Sequence, residues 1–495
     1  MIKLIGGKRV NSGRKSLPRE LKKNRVTIYL TEEEYKIIDN SISGLSFSSK
    51  CVNLINQALY DNLKKMNNTI RFIDLFAGLG GIRIGFEQAF KELGIKTECV
   101  FVSEIKKHAI ESYKKNFKEE KIYGDITKID TKEIPNFDFL LAGFPCQSFS
   151  SAGNRLGFKD TRGTLFFEIE RILREKNPYG FILENVEGLI NHNKGKTLQI
   201  ILNSLENLNY KVSYELIDSV HFGLAQSRKR VYIVGTKEKN ISLNNFKCSY
   251  KNFIDIQEHN KETVDSEFTK KLLSKYKINE LYGKSIKDKR GGINNIHSWD
   301  IGIKGEVNEK QKKLLNLLLK ERRKKKWAEE IGIQWMDGMP LTFNQIKTFY
   351  NDEDLVFLLD DLIEKRYLVL EHPKCLKNGK REYDITKEKG YNIVTGKLSF
   401  EFSKILNPFG VAPTLVATDI EKTGVIDGNG IRKLTLREGQ RLFGFPESYN
   451  MEFLNYKDGL DLLGNTVCIP VVKEICLRLG EDILERESLE ELRKF

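Results

Sequence analysis

The sequence has little cysteine, and its few cysteines are scattered. There are seven, an odd number, and no two of them form a CxxC pair, so neither a zinc knuckle nor a redox dithiol is indicated. Such a set is typical of reduced thiols in a reducing compartment, where most serve as small core residues. We therefore expect no metal site.

Long apolar runs are also absent. No run approaches the roughly 20 residues that a membrane-spanning helix needs. The opening stretch, MIKLIGGKRVNSGRK, lacks the apolar centre of a secretion signal. These absences predict a cytoplasmic protein without a membrane partner.

Acidic residues are outnumbered by basic ones. The 495 residues include 82 Lys and Arg but 68 Asp and Glu, which gives a formal net charge of +14. An excess of basic charge favours a polyanionic partner, with nucleic acid as the leading candidate, although it can serve solubility alone. With 40% hydrophobic and 30% charged residues, the chain has a globular composition and is long enough for about two to four domains.

The N-terminal region has a pattern of its own. Residues 1–24 are basic and predict a flexible arm. In residues 25–66 a short alternating strand comes first, and a capping box formed by Thr31 and Glu34 then opens a helix, which a second helical pattern follows. About forty residues cannot bury a core alone, so pairing with a second copy is expected.

This N-terminal pattern resembles the ribbon-helix-helix DNA-binding domains, in which two chains pair their strands and lay them in the major groove. The resemblance implies a homodimer in which Arg25, Thr27 and Tyr29 face the bases. A dimerisation module without DNA contacts is the alternative.

From about residue 70 the pattern becomes α/β. Strand-like runs alternate with helical patterns, which favours a doubly wound and largely parallel sheet. The runs occupy residues 71–76, 98–103, 137–142, 179–184 and 230–235. After residue 236 the rhythm stops, and residues 341–373 read as two helices and a strand with a wing-like turn, which suggests a winged-helix insert.

A glycine-rich turn follows the first strand of this region. In FIDLFAGLGG, Asp74 ends the strand, and Gly78 and Gly80 allow the backbone to approach a ligand closely. Glu104 ends the next strand, where an acid can bind ribose hydroxyls. This pattern predicts a nucleoside-containing cofactor without distinguishing nucleotides, flavins and methyl donors.

Three further motifs carry reactive side chains near strand ends. Cys146 in GFPCQSFS is a candidate nucleophile, although a lone cysteine is more often structural. Glu184 in FILENV ends a buried strand, where desolvation raises a carboxyl pKa enough for it to donate a proton to a ring nitrogen; a strand cap is the alternative. Arg228 and Arg230 in QSRKR suit phosphates or base carbonyls, or are surface charges.

Taken in chain order, these motifs are similar to those of the DNA cytosine-5 methyltransferases. DLFAGLGG, SE, GDI, GFPCQSFS, DTRGTLFFE, LENV, QSRKR, RKLTLREGQRLFGFP and LLGNTV follow one another within residues 71–236 and 411–478. The resemblance implies a Rossmann-like methyltransferase sheet with an inserted target-recognition domain. The implied parts are a catalytic domain in residues 70–236, a target-recognition domain in 237–431, a return to the catalytic domain in 432–480 and a C-terminal helix in 481–495.

The resemblance also implies roles for single residues. S-adenosylmethionine would be bound by Asp74, Phe76, Gly78, Gly80, Glu104, Asp125, Ile126, Pro145, Leu165, Asn465 and Val467. Catalysis would use Cys146 as nucleophile, Glu184 at cytosine N3, and Arg228 and Arg230 to support the flipped base. The DNA would meet Gln147, Ser148 and Ser150 in the loop after the nucleophile, and Thr414 further on. Ile105 departs from the family pattern, in which an aromatic residue commonly follows the ribose-binding acid.

The implied function is transfer of a methyl group from S-adenosylmethionine to C5 of a flipped-out cytosine in a specific duplex DNA sequence. A restriction-modification role, with a companion endonuclease, is favoured. Two alternatives stay open: methylation of cytosine in tRNA, and a DNA-binding regulator with a secondary methyltransferase role.

Overall fold

A computed structural model describes most of the chain from residue 69 onward and a few residues before it. The described residues are 2–3, 29–41, 46–47, 50–51, 69–117, 121–145, 165–335, 337–377, 380–395, 400–417 and 419–492. Within these ranges, no helix combines the length and apolar character that crossing a bilayer requires.

A six-stranded sheet in the order β4-β3-β5-β6-β8-β7 forms the centre of the larger half. Its strands are β3 (Ile70–Leu75), β4 (Thr97–Ser103), β5 (Phe139–Gly143), β6 (Gly180–Val186), β7 (Lys211–Asp218) and β8 (Lys229–Thr236). Strands β4, β3, β5 and β6 are parallel, and β8 runs antiparallel to both β6 and β7. This is the mixed α/β fold with a central parallel sheet that the strand pattern predicted.

Helices cover both faces of this sheet, because successive residues of the strands point to opposite sides. On β5, Phe139 and Leu141 belong to one apolar cluster, whereas Leu140 and Ala142 belong to the other. The helices of this half are α2 (Gly81–Glu92), α3 (Lys107–Phe117), α4 (Leu165–Lys176), α5 (Lys196–Asn207), α11 (Leu436–Phe443), α12 (Tyr456–Gly464) and α13 (Ile469–Leu492). Burial on both faces explains why the central strands are continuous apolar runs.

Two glycines of α2 allow the C-terminal helix α13 and the residues directly before it to pack closely against α2. A Cβ at Gly85 would lie 2.7 Å from Val472, and one at Gly81 would lie 2.9 Å from Val467. Side chains at either position would therefore push the last helix away from the glycine turn. This contact places the beginning of α13 beside the glycine turn that follows β3.

Residues 285–433 contain a second, smaller sheet in the order β10-β9-β15-β16-β17. Its strands are β9 (Ser285–Ile286), β10 (Asn295–Ile296), β15 (Lys404–Ile405), β16 (Thr423–Asp427) and β17 (Gly430–Lys433), and α6 (Glu267–Lys275) packs beside it. A separate apolar cluster that includes Leu272, Phe402 and Ile405 fills the space between them.

A helical insert with its own core interrupts this smaller sheet. Its elements are α7 (Glu309–Glu321), α8 (Lys326–Glu330), α9 (Phe343–Lys347), α10 (Leu355–Glu364), β11 (Leu368–Glu371), β12 (Lys374–Lys377), β13 (Lys380–Tyr383) and β14 (Gly390–Ile393). Leu318, Trp327, Ile346 and Leu359 are among the buried residues of its core. The two predicted helices and the strand of this region correspond to α9, α10 and β11.

The predicted strands agree with β3, β4, β5, β6 and β8, but the pattern gave no sign of β7. That strand lies at the edge of the sheet, and most of its side chains are exposed or half-buried. An edge strand without a buried face lacks the apolar signal on which sequence patterns depend. The expected parallel arrangement is found in β4, β3, β5 and β6. Strand β8 differs from the expectation because it runs antiparallel to β6.

The ends of the chain differ from expectation in two places. Residues Ile2–Lys3, within the predicted flexible arm, form β1 and pair with β2 (Tyr29–Leu30). The helix opened by the Thr31 capping box is confirmed as α1 (Glu32–Ser41). The ribbon-helix-helix segment lies largely outside the described residues and stays a prediction.

At the other end, the separate helix expected from residue 481 is instead the continuation of α13. That helix begins at Ile469 and runs to Leu492 without a break. Leu479 and Ile483 lie on both sides of the expected boundary and are buried in the same core. Continuous burial of one helix face leaves no reason for a break.

Candidate active site

A cavity of about 720 Å³ opens at the carboxyl edge of the parallel strands. This edge is where α/β proteins bind their ligands. The predicted cofactor residues that line it are Asp74, Phe76, Gly78, Glu104, Asp125, Ile126, Pro145, Leu165, Asn465 and Val467. Glu184, Arg228 and Arg230 line it as well. The fold thus brings together residues that are almost 400 positions apart in the chain.

The glycine turn owes its shape to left-handed backbone conformations. Phe76, Gly78 and Gly80 have φ values of 55°, 54° and 72°. Gly80 does not line the cavity; a Cβ there would lie 2.5 Å from the ring of Phe117, and the residue is the N-cap of α2. Glycine at this position therefore serves the turn, whereas Phe76 and Gly78 face the cavity. Strained backbone of this kind is concentrated at binding sites.

Glu104 connects this turn to the loop after β4. One carboxylate oxygen accepts a hydrogen bond from the backbone N–H of Gly78 at 2.8 Å. The other accepts from the N–H groups of Ile105 and Lys106, also at 2.8 Å. The carboxylate is thereby held at the rim of the cavity, and Ile105, 73% exposed, lies beside it.

Asp74 lies beneath the turn in a buried polar network. Its carboxylate accepts a hydrogen bond from the hydroxyl of Tyr113 at 2.9 Å, and that hydroxyl accepts one from Arg83 at 3.2 Å. Burial raises the pKa of Asp74 to about 7, although Tyr113 and Arg83 oppose the shift. Asp74 lines the cavity but is 1% exposed, so its carboxylate is enclosed in this network.

Glu184 and Arg230 form a buried ion pair at the wall of the cavity. In the antiparallel ladder Glu184 lies opposite Tyr232, and Val186 lies opposite Arg230, so Glu184 and Arg230 share one face of the sheet. The Nε atom of Arg230 is 3.0 Å from a carboxylate oxygen of Glu184. Burial raises the pKa of Glu184, and the two nearby arginines act against that rise.

Arg228 is engaged with the backbone more than with the cavity. Its guanidinium donates to the carbonyl of Leu415 at 2.8 Å and to that of Gly464 at 3.0 Å, and it is 3% exposed. Burial lowers the pKa of Arg228 to about 10. Thr414, adjacent to Leu415, donates from its hydroxyl to the carbonyl of Ser227 at 2.8 Å.

Several predicted residues lie outside the described part of the chain. These are the nucleophile candidate Cys146, the loop residues Gln147, Ser148 and Ser150, and the N-terminal residues Arg25 and Thr27. Tyr29 is placed in β2. Pro145 directly precedes Cys146 and lines the cavity. The described residues therefore reach the cavity wall and end one residue before the candidate nucleophile.

Comparison with known proteins gives the family. The model of the family "C-5 cytosine-specific DNA methylase" matches residues 70–481. The chain belongs to this family. It is 56% identical over 417 residues to the type II methyltransferase M.NlaIV of Neisseria lactamica and 55% identical over 417 residues to M.NgoBV of Neisseria gonorrhoeae. Each alignment covers 83% of this chain and 98% of the relative. The type II methyltransferase M.BanI of Aneurinibacillus aneurinilyticus is 43% identical over 431 residues, covering 82% of this chain and 94% of the relative.

One functional position of this cytosine methylase was not assigned from the sequence. Asn185 follows Glu184 on β6 and donates from its side chain to the carbonyl of Phe144 at 2.9 Å. It is 1% exposed and lines the cavity. The bond holds the backbone two residues before the candidate nucleophile Cys146. In the sequence, the available signal for this residue was an amide side chain directly after the acid at the end of a predicted buried strand.

The arrangement separates two environments within one cavity. The glycine turn and Glu104 form an edge with backbone donors and one carboxylate, which suits the hydroxyls of a nucleoside. The pair of Glu184 and Arg230 lies on the other side, where burial raises the pKa of the carboxyl group and the two arginines act against that rise. Among the described residues, no three His, Cys, Asp or Glu side chains are arranged to hold a metal ion.

The raised pKa of Asp74 predicts a pH-dependent stability. Unfolded, this carboxyl titrates near 3.8, and in the fold near 7, so between these values the folded state holds one more proton. Stability should therefore fall as pH rises through this window, by at most about 4 kcal/mol. Asp74→Asn keeps an oxygen for Tyr113 and should remove this contribution.

Urea unfolding of the wild type and of Asp74→Asn, at several pH values from 4.5 to 7.5, measures the difference directly. Since all other titrations are common to both proteins, the change in stability between them isolates Asp74. Parallel pH profiles would show that its pKa is not raised.

Proposed function

We propose that this methylase transfers a methyl group from S-adenosylmethionine to C5 of a cytosine flipped out of a specific duplex DNA sequence. We further propose that it is the modification enzyme of a type II restriction-modification system with a companion endonuclease. The observation that carries the chemistry is the buried pair of Glu184 and Arg230 in the same cavity as the glycine turn. The restriction-modification role is supported by relatives named type II methyltransferases that match over 98% of their length.

The residues of the cavity suit S-adenosylmethionine. Its volume falls within the range of roughly 300–1,000 Å³ that is usual for small-ligand sites. Glu104 would accept hydrogen bonds from the ribose hydroxyls. Phe76 and Ile126 would contact the adenine, and Asn465 and Val467 would close the pocket. When bound, the cofactor supplies an electrophilic methyl group.

The chain's own residues would prepare the cytosine for this methyl group. The thiolate of Cys146 would add to C6, which turns C5 into an enamine-like carbon. Negative charge then develops on the pyrimidine ring, and Glu184 would stabilise it by donating its proton towards N3. After C5 has been methylated, loss of the C5 proton and departure of the thiolate restore the aromatic ring.

Access to the cavity requires that the base leave the double helix. Glu184 is 8% exposed, so a cytosine stacked in a duplex cannot reach it. Extruding one base costs a few kcal/mol, which contacts to the DNA must offset. The excess of basic charge on this chain would supply phosphate contacts, with the strong salt dependence that they bring.

Covalent trapping tests the proposed function. With methyl donor present, a duplex carrying 5-fluorocytosine at the target position should form a stable adduct with the wild type, because fluorine at C5 cannot leave as a proton. Cys146→Ser should form none while binding the cofactor with unchanged affinity. No adduct with the wild type, on DNA that it methylates, would remove the thiol from the mechanism. A tRNA substrate run in parallel tests the RNA alternative.

Glu184→Gln separates catalysis from binding. The amide keeps the shape but cannot give a proton to N3, so we expect methyl transfer to slow by roughly 10²–10⁴-fold, with a much smaller change in duplex affinity. Single-turnover rates and gel-shift titrations measure the two quantities. Equal losses in both would assign Glu184 a binding role.

We also propose that the N-terminal segment pairs two chains and binds DNA, as its resemblance to ribbon-helix-helix domains suggests. Removing residues 1–66 should convert a dimer into a monomer in sedimentation and abolish footprints away from methylation sites, while methylation persists. A truncated protein with the same mass and footprint as the full chain would exclude this role.

A further inference from the structure

The helical insert has the element order of a winged helix. Helices α7 and α8 are followed by a bridge at Leu341, then by α9, α10, β11, the hairpin β12–β13 and finally β14. Leu341 and Tyr391 exchange both backbone hydrogen bonds, at 3.1 and 2.7 Å, and β14 pairs antiparallel with β11. A Cβ at Gly390 would lie 2.6 Å from the backbone of Leu341, so this three-part pairing requires the glycine.

The insert is anchored to the segment that leads into it. The hydroxyl of Tyr367 accepts a hydrogen bond from the N–H of Lys304 at 3.0 Å and donates to the carbonyl of Gly305 at 2.8 Å. The ring of Tyr367 also makes an edge contact with the buried Trp299. These contacts hold the segment between β10 and α7 against the core of the insert.

In helix-turn-helix proteins the second helix enters the major groove. Here that helix is α10, and its exposed face is unsuited to DNA. Val356 and Phe357 are 50% and 76% exposed, and Asp360 and Glu364 lie on the same exposed side. Neither acid has an ion-pair partner among the described residues. DNA phosphates would be repelled by this face.

Positively charged side chains are concentrated instead around the β12–β13 hairpin, which is the wing of this fold. Lys374 and Arg381 lie on one face of the β12–β13 hairpin, since Lys374 pairs with Tyr383 and Arg381 pairs with Leu376. This face borders a cavity of about 710 Å³ that Lys289, Arg322 and Arg366 also line.

Most of this positive charge is not neutralised. Lys289, Arg366, Lys374 and Arg381 form no ion pair within the described chain, and all four are exposed. Arg322 is 5% exposed, and its Nε has no hydrogen-bond partner.

The two acids that border this cavity are already engaged. Asp337 pairs with Arg323 at 2.8 Å, and Glu371 accepts hydrogen bonds from Asn392 and Tyr383. The wing side of the insert is therefore a cationic surface with unused donors, which is the usual footprint of phosphate binding.

We propose that this winged-helix insert contacts the backbone of the duplex substrate with its wing and the cationic cavity, and that the α10 face stays off the DNA. This is the reverse of the usual helix-turn-helix mode. The inference rests on the proposed function and deepens it, because it names the surface that holds the duplex beyond the reacting base. Phosphate contacts would give affinity and register without reading sequence.

Charge reversal on the full-length protein tests the surface. The double variant Lys374→Glu, Arg381→Glu should bind target duplex about 10–100-fold more weakly near 0.1 M salt, and the slope of log affinity against log salt should fall by roughly two. The matched control is the double variant Lys91→Glu, Lys96→Glu. It makes the same change in charge at exposed positions in the last turn of α2 and directly before β4, outside the insert. It should bind nearly as the wild type does.

A third variant tests whether α10 contacts the DNA, as the second helix does in helix-turn-helix proteins. Phe357→Glu places another negative charge on the α10 face and should leave affinity and methylation unchanged. If it weakens binding as much as the wing variant does, or if the wing variant behaves like the control, the proposal is overturned. Thermal unfolding of every variant checks folding. A wild type that methylates no duplex would instead refute the proposed function, while the binding measurements would still report on the wing.

Discussion

A single buried guanidinium joins the two ends of the catalytic half. Arg228 lies directly before β8 and before the helical insert, and it donates to carbonyls of Leu415 and Gly464, which follow the insert. A buried cation is costly unless its donors are used, so these bonds are required once the side chain is enclosed. Gly464 begins the segment that closes the cavity over the glycine turn. The cavity therefore depends on this contact across more than two hundred residues of chain.

Several other features of the same site are unfavourable for the stability of the fold. Phe76 adopts a left-handed conformation that a bulky side chain disfavours, and burial holds the pKa of Asp74 far above its usual range. Glu184 is buried with its partner Arg230 instead of being solvated. Each of these lowers stability unless the surrounding packing compensates for it, and such costs are concentrated at functional sites. The close packing of α13 on the glycines of α2 belongs to that compensation.

Prediction from the sequence succeeded where burial or a short-range motif controls the outcome. Strands β5 and β6 are buried on both faces, so their apolar runs were visible, whereas the edge strand β7 gave no such signal. Glu184 and Glu104 were predicted because the pattern placed each at the end of a strand; in the structure Glu104 directly follows β4 and Glu184 lies in the last half of β6. Asn185 and the backbone role of Arg228 were missed, since their partners, Phe144 and Gly464, are distant in sequence. Gly80 was assigned to the ligand, but its φ of 72° and the clash that a Cβ would make with Phe117 show that the turn itself requires glycine.

The sequence by itself determined the α/β class, the order of the motifs and therefore the family, because these depend on residue identity and on spacing along the chain. Only the tertiary structure decided which side chains meet. It paired Glu184 with Arg230 through an antiparallel register, and it joined the ends of the catalytic half through Arg228. It also showed that the cations of the insert gather at the wing while α10 exposes acids. Such arrangements arise from packing between distant segments, and no local pattern encodes them.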